Sequence, residues 1–301
     1  MNNRLIWALS LMLCSTSLEG QTRLHFIESV TGVPVPYVNI TFGENEGKYT
    51  NEDGFAIIPE GVRTINTSHI TYEPLSLDLE SIGDSMVTLK PVVTELRPAI
   101  IVPKNLKKKT IGYASIKGET TAGGRNGYCI AEHFGFSSEW SSVPIISAVN
   151  LNLNTLNLKR DIKTRVGDIE YTDGIMHIAK LRIDLRSVDP ATGGPGASLI
   201  EGGVIYSLKD KFNLNLRKLC KVSLPNPEVF PEEGLFVVVE WIVTDDVRVQ
   251  DMVSPSIWTV PAEDGSSSWV KWPLGTAWRK NVKGPYDSYE KSFCIGLDLM
   301  Q

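Results

Sequence analysis

Amphipathic helix is what this 301-residue chain conspicuously lacks: no stretch longer than two turns repeats its apolar residues at helical spacing. That excludes helical bundles and the alternating strand–helix architectures. Beyond the first fourteen residues there is no apolar run of about eighteen, the length a membrane-crossing helix needs. Basic excess is missing too, with 30 Lys and Arg against 35 Asp and Glu and a net charge of −5. A nucleic-acid partner calls for a basic face, so none is expected. The one basic run, KKK at 107–109, reads as a solvated linker. His69, His133 and His177 stand isolated, without the partner pattern of a metal centre, and read as hydrogen-bonded or surface residues. Ser137 and Ser138 do not sit in a Gly-x-Ser-x-Gly elbow, and GGRNG at 123–127 lacks the lysine and the following helix of a phosphate-cradling loop.

What is present begins with an export signal. Arg4 precedes an apolar run from Leu5 to Cys14, and small or polar residues follow to Gly20, so residues 1–20 read as a cleaved signal peptide. Leu13 is a poor residue for lipoprotein processing at Cys14. The expected location is the periplasm or the cell surface, peripheral to the membrane at most. Cleavage leaves Cys129, Cys220 and Cys294, an odd number. Cys129 and Cys294 lie near the two ends of the second region and are the candidate disulfide, with buried free thiols as the alternative.

From Arg23 onward apolar and polar residues alternate over short runs such as LHFIESV, GFAIIP, TINTSHI and SMVTLKP, parted by Gly, Pro, Asn and Asp. Period two with regular turn signals predicts an all-β protein of two antiparallel β-sandwiches. The expected boundaries are 22–91 for the first, 92–112 for a bridging strand and basic linker, and 113–301 for the second, with a jelly roll as its candidate topology. One stretch, TNEDGFAI at 50–57, nearly fits a calcium loop, with Asn51, Asp53, Gly54 and Glu60 at ligand or turn positions. Tyr49 stands where the first carboxylate belongs, and strand-like residues flank it, so it reads as a hairpin corner.

The first region resembles the carboxypeptidase-regulatory-like domain of exported Bacteroidota proteins. TGVPVPYVNI at 31–40, GKYTNEDGFAI at 47–57, ITYEP at 70–74 and VTLKP at 87–91 carry the likeness, and TELRPAIIV at 94–102 looks like its closing segment. Thr71 stands before Tyr72 where that family often has glycine. KLRIDLR at 180–186, GGPGASLI at 193–200 and EEGLFVVVEW at 232–241 look like the domain that follows in some of these proteins. The resemblance implies a prealbumin-like first sandwich without catalytic residues, in an exported binding, scaffold or accessory protein of the cell envelope.

The chemistry candidates are thin. His25 and Glu28 match a His-x-x-Glu ligand pair, but residues three apart on a strand point to opposite faces. Cys129, Glu132 and His133 offer a thiolate, a carboxylate and an imidazole without a second group to complete a site. Two carboxylates, Asp245 and Asp246, end the stretch EWIVTDD at 240–246 and read as a solvated loop. Asp84-Ser85-Met86 matches a short O-glycosylation acceptor pattern. Trp258, Trp269, Trp272 and Trp278 fall within one Gly- and Ser-rich stretch and are candidate contacts to a protein partner or glycan. No catalytic residue, metal ligand or cofactor is expected. The leading expectation is a non-enzymatic binding or scaffold protein that contacts an envelope protein or glycan. The alternative is a peptide or glycan hydrolase using the Cys129–His133 region and the 240–246 carboxylates.

Overall fold

The computed structural model describes residues 21–43, 46–82, 85–92, 106–115, 117–123, 127–155, 177–178, 180–200, 202–207, 218–242, 252–262, 268–272, 277–281 and 290–301. Residues 1–20, the TELRPAIIV stretch and Asp245 and Asp246 lie outside these residues. Within them the protein is all-β, with one 3-10 turn at Leu79–Ser81.

The first sandwich holds β1 (Thr22–Glu28), β2 (Asn39–Gly43), β3 (Glu46–Tyr49), β4 (Phe55–Ile58), β5 (Thr64–His69), β6 (Tyr72–Asp78) and β7 (Met86–Leu89). One sheet runs β4-β1-β7, the other β3-β2-β5-β6. Alternation places Leu24 and Phe26, Ala56 and Ile58, Ile65, and Val87 and Leu89 in one core, closed by Val38 and Ile40. The pairing is not wholly antiparallel. After β6 the chain crosses from one sheet to the other through the 3-10 turn, and β7 enters beside β1 in parallel, His25 opposite Met86.

The second sandwich opens with β8 (Lys108–Gly112), β9 (Thr120–Ala122), β10 (Cys129–Phe134), β11 (Ile145–Asn154), β12 (His177–Ile178) and β13 (Lys180–Val188). It continues through β14 (Pro195–Ser198), β15 (Val204–Tyr206), β16 (Lys218–Val229), β17 (Leu235–Ile242), β18 (Met252–Val253) and β19 (Ser256–Pro261). It ends with β20 (Ser268–Lys271), β21 (Arg279–Lys280), β22 (Lys291–Phe293) and β23 (Ile295–Met300). One sheet has the order β14-β13-β17-β10-β20-β21, with β15 also on β13. The facing sheet runs β22-β19-β11-β23-β8, with β16 on β11 and β9 on β19. Between them lies the larger core, from Ile130, Ile183, Val239 and Trp241 on one side to Val149, Leu151, Ile295 and Leu297 on the other.

Two expectations need correction. The basic run is no linker: Lys108 and Lys109 belong to β8, an edge strand paired with the carboxyl-terminal β23, so the second sandwich begins before Gly112. Exposed lysines on an edge strand protect it from pairing with other chains, which explains why they looked like solvated linker. The Cys129–Cys294 disulfide does not form. Cys129, Cys220 and Cys294 are all buried, and none is in a disulfide. Cys129 packs with Ala131, Phe236 and Val238 on the outer face of its sheet, away from the facing sheet that carries Cys294.

Candidate functional site

The stretch KLRIDLR forms β13 with strict alternation. Leu181, Ile183 and Leu185 point into the core, so Arg182, Asp184 and Arg186 share the outer face. That face is not solvated: Arg182 is 7% exposed and Asp184 2%. Pairing extends the polar row across four strands, with Arg182 opposite Glu240, Glu240 opposite Cys129, and Cys129 opposite Lys271. The next row is Asp184, Val238, Ala131 and Trp269.

The first sandwich covers this face. Tyr37 and Tyr49 pack with Ile242, and Ile205 lies against them. The Tyr49 hydroxyl donates to Glu240 Oε1, and Arg182 Nη2 donates to the Tyr37 carbonyl at 2.8 Å. Tyr37 holds φ at 58°, an uncommon conformation for a side chain of its size, and so turns that carbonyl toward the guanidinium. Lys180 donates to the Tyr37 hydroxyl at 2.7 Å and pairs with Glu52.

Beside this contact the two sandwiches leave a cavity of about 400 Å3. Asn39, Asn66, Ser68 and His69 line it from β2 and β5. Arg182, Asp184, Arg186, Glu240 and Lys271 face them, and Trp278 forms part of the wall. Asn66 and Ser68 are exposed and mark the rim.

Both carboxylates are engaged within the protein. Glu240 takes the Tyr49 hydroxyl on Oε1 and Arg182 Nη1 on Oε2 at 3.3 Å. Asp184 takes Ser198 Oγ at 2.7 Å on Oδ1 and Arg186 Nε at 2.8 Å on Oδ2. Burial raises the pKa of Glu240, but Arg182, Lys271, the Tyr49 hydroxyl and Arg186 outweigh it and hold it below the ordinary value. For Asp184 burial wins over Arg186 and Ser198, and its pKa is raised. Burial, seconded by Arg182, drops His69 to about 3, so the ring is neutral. Lys271 stands 5.5 Å above the Trp278 ring and has no ion-pair or hydrogen-bond partner among the described residues. Two further polar atoms of wall residues, Arg182 Nε and Asn39 Oδ1, are buried without a partner among the described residues.

The tryptophans separate. Trp258 lies on β19 of the facing sheet, so close to Gly118 that a Cβ there would stand 2.5 Å from its own Cβ. Trp269 packs edge-on to Phe236 and beside Gly194. Trp272 is 49% exposed and leans on Tyr128. Only Trp278 of the four lines the cavity.

The Cys129–His133 constellation does not assemble. Glu132 points to the opposite face of β10, where its Oε2 accepts the Phe293 amide, while His133 packs on Phe236. Burial, then the nearby Glu240, pushes the Cys129 thiol up to about 12, far from a nucleophilic thiolate. His25 stacks on Phe55 while Glu28 accepts the Tyr72 hydroxyl, so these two do not meet either. No group of three metal-ligating side chains occurs among the described residues. At the TNEDGFAI corner the Asn51 side chain accepts the Asp53 and Phe55 amides, and Gly54 takes φ 75°, as a tight turn requires. Ser85 is exposed beside Met86, and Asp84 lies outside the described residues.

Arg182, Arg186, Glu240 and Lys271 went unremarked in the sequence as a set. Their signal was present in part, as a basic, acidic, basic row at every second position of 182–186. A polar strand face ordinarily meets water, and only the docking of another domain makes it a site. No protein-family model, curated protein or solved structure matches this chain.

Proposed function

We propose that the chain is an exported, non-enzymatic binding protein of the bacterial cell envelope that seats a glycan between its two sandwiches. One observation carries the reading: a recessed cavity of ligand size whose wall is contributed jointly by both domains, with amide, hydroxyl and cationic side chains and one indole converging on it. Export is supported by the pattern of residues 1–20, and an envelope role by the motifs of 31–91. On this reading the prealbumin-like domain is half of the site rather than a detached spacer. The internally paired carboxylates, the neutral His69 and the protonated Cys129 favour holding a ligand over transforming one. A recess suits a saccharide better than the broad, flat contact of a folded protein partner.

The test is calorimetric titration of the full chain with envelope oligosaccharides, followed by mass spectrometry of the recovered sugar. Expected are binding to at least one saccharide, unaltered product, a loss of tenfold or more in Trp278→Ala, and little change in Trp272→Ala. Cleaved sugar, or affinity untouched by Trp278→Ala, overturns the reading.

A further inference from the structure

The unmet valences of the cavity specify its occupant more narrowly. Among the described residues its wall carries three cations, Arg182, Arg186 and Lys271, and two carboxylates, Asp184 and Glu240. The two arginines are matched one to one with the carboxylates, through Arg182–Glu240 and Arg186–Asp184. Each carboxylate oxygen already has a donor from within the protein. Lys271 adds to the field on Glu240 but makes no ion pair or hydrogen bond among the described residues, and its contact with Trp278 holds the ammonium at the wall. A half-buried ammonium at a recess is a ready partner for a bound anion.

Two orphaned atoms just under the wall, reachable once the side chains around them shift on binding, refine the choice. Arg182 Nε is a donor in need of an acceptor, and Asn39 Oδ1 is an acceptor in need of a donor. Leaving such groups unpaired costs roughly 1–3 kcal/mol each. A phosphate monoester brings close to two negative charges against one free cation, and its oxygens donate nothing to Asn39. A neutral sugar supplies hydroxyl donors but leaves Lys271 unmatched. A sugar bearing one carboxylate supplies the anion and hydroxyls that both donate and accept, and its ring has an apolar face for the indole of Trp278. Asn66 and Ser68 at the rim offer the same two-way hydrogen bonding to the next residue of a chain.

We infer that the cavity between the sandwiches binds an acidic saccharide, one carboxylate-bearing sugar unit lodged against Lys271 with its hydroxyls on Asn39 and the Arg182 Nε. This rests on the glycan-binding reading above, and the two fail in different ways. The probes are galacturonate and glucuronate oligosaccharides, each paired with its carboxyl-reduced counterpart, titrated into the full chain. Expected is at least tenfold tighter binding of an acidic form than of its reduced form, weakened by added salt. Lys271→Met should abolish that discrimination, and Lys271→Arg should restore it. Asn39→Asp, which places a carboxylate beside the bound anion, should weaken the acidic form selectively. Unchanged thermal melting of these variants excludes misfolding as the cause. Equal affinity for acidic and reduced sugars overturns the charge assignment and leaves the glycan site standing. Absence of binding to every saccharide overturns both. Equal or tighter binding of a short peptide with a free C-terminal carboxylate, lost on amidation, overturns the saccharide in favour of a peptide.

Discussion

Gly123 holds φ at 99°, and a Cβ there would fall 2.2 Å from Cζ2 of Trp241, the largest fully buried side chain among the described residues. That indole is fixed by its own hydrogen bond to the Pro255 carbonyl at 2.7 Å and has nowhere to retreat. Gly123→Ala therefore combines backbone strain with overpacking, and we expect a loss of about 2–4 kcal/mol in urea denaturation. Gly193 offers the contrast: φ is 69°, but nothing lies within 4 Å of an added Cβ, so Gly193→Ala should lose only about 1 kcal/mol. A second residue makes stability depend on pH. Glu132 is buried in the larger sandwich, with Oε2 accepting the Phe293 amide at 2.8 Å and Oε1 without a partner. Burial pushes its pKa up to about 8 against the opposing pull of the Phe293 amide and Ser292. Below the unfolded value of about 4.5 both states hold the proton, so Glu132 then adds no pH dependence. As pH rises from there toward 8 the unfolded chain ionises first, and stability falls by about 1.4 kcal/mol per unit before levelling off. Glu132→Gln removes this decline. Its stability relative to the native protein should grow by up to about 4 kcal/mol between pH 4.5 and pH 8, measured by urea titration at each pH.

At the scale of strands, alternation was legible wherever one face meets the core and the other meets water. In β4 Ala56 and Ile58 go in while Ile57 stays out, and in β5 Ile65 and Thr67 go in, as period two dictates. Where both faces are covered the pattern blurs: LFVVVEWI of β17 is buried nearly throughout, a run that fits a central strand but conceals which residues face which layer. Long-range partners were not legible at all. Glu240 meets Tyr49 across 191 residues, and no local signal in either neighbourhood announces the other. The same holds for β8, whose place is fixed by a residue near the far end of the chain. Asp298 on β23 accepts Thr110 Oγ1 of β8 at 2.7 Å and Asn150 Nδ2 of β11 at 2.6 Å, and pairs with Lys221 of β16. Burial opposes its charge, yet Lys221, Thr110 and Asn150 hold its pKa below the usual carboxylate value. One carboxylate thus ties four strands of one sheet. Asp298→Ala should cost about 1–3 kcal/mol, and hydrogen exchange should show β8 amides losing protection before those of β11. Uniform loss over the sheet would mean that the edge strand does not depend on this side chain.

For the whole molecule the decisive question is whether two sandwiches behave as one body. Their contact is small in apolar content, resting on Tyr37, Tyr49, Ile205 and Ile242, but it encloses Glu240 with its hydroxyl and guanidinium partners. Taking one partner from a buried charge is costly, because the carboxylate desolvated by docking is then poorly compensated. Tyr49→Phe removes the hydroxyl while keeping the ring, and it leaves the cavity lining untouched, since Tyr49 is not part of that wall. We expect the native protein to unfold in one calorimetric transition and Tyr49→Phe to separate it into two, the smaller sandwich melting first as docking weakens by about 1–3 kcal/mol. Ligand binding then supplies the second half of the test. A saccharide that touches both sandwiches binds only the docked state, so at a hundredfold excess over its dissociation constant it should restore about 2.7 kcal/mol and draw the two transitions together. A ligand held by the larger sandwich alone would raise the second transition and leave the first where it was.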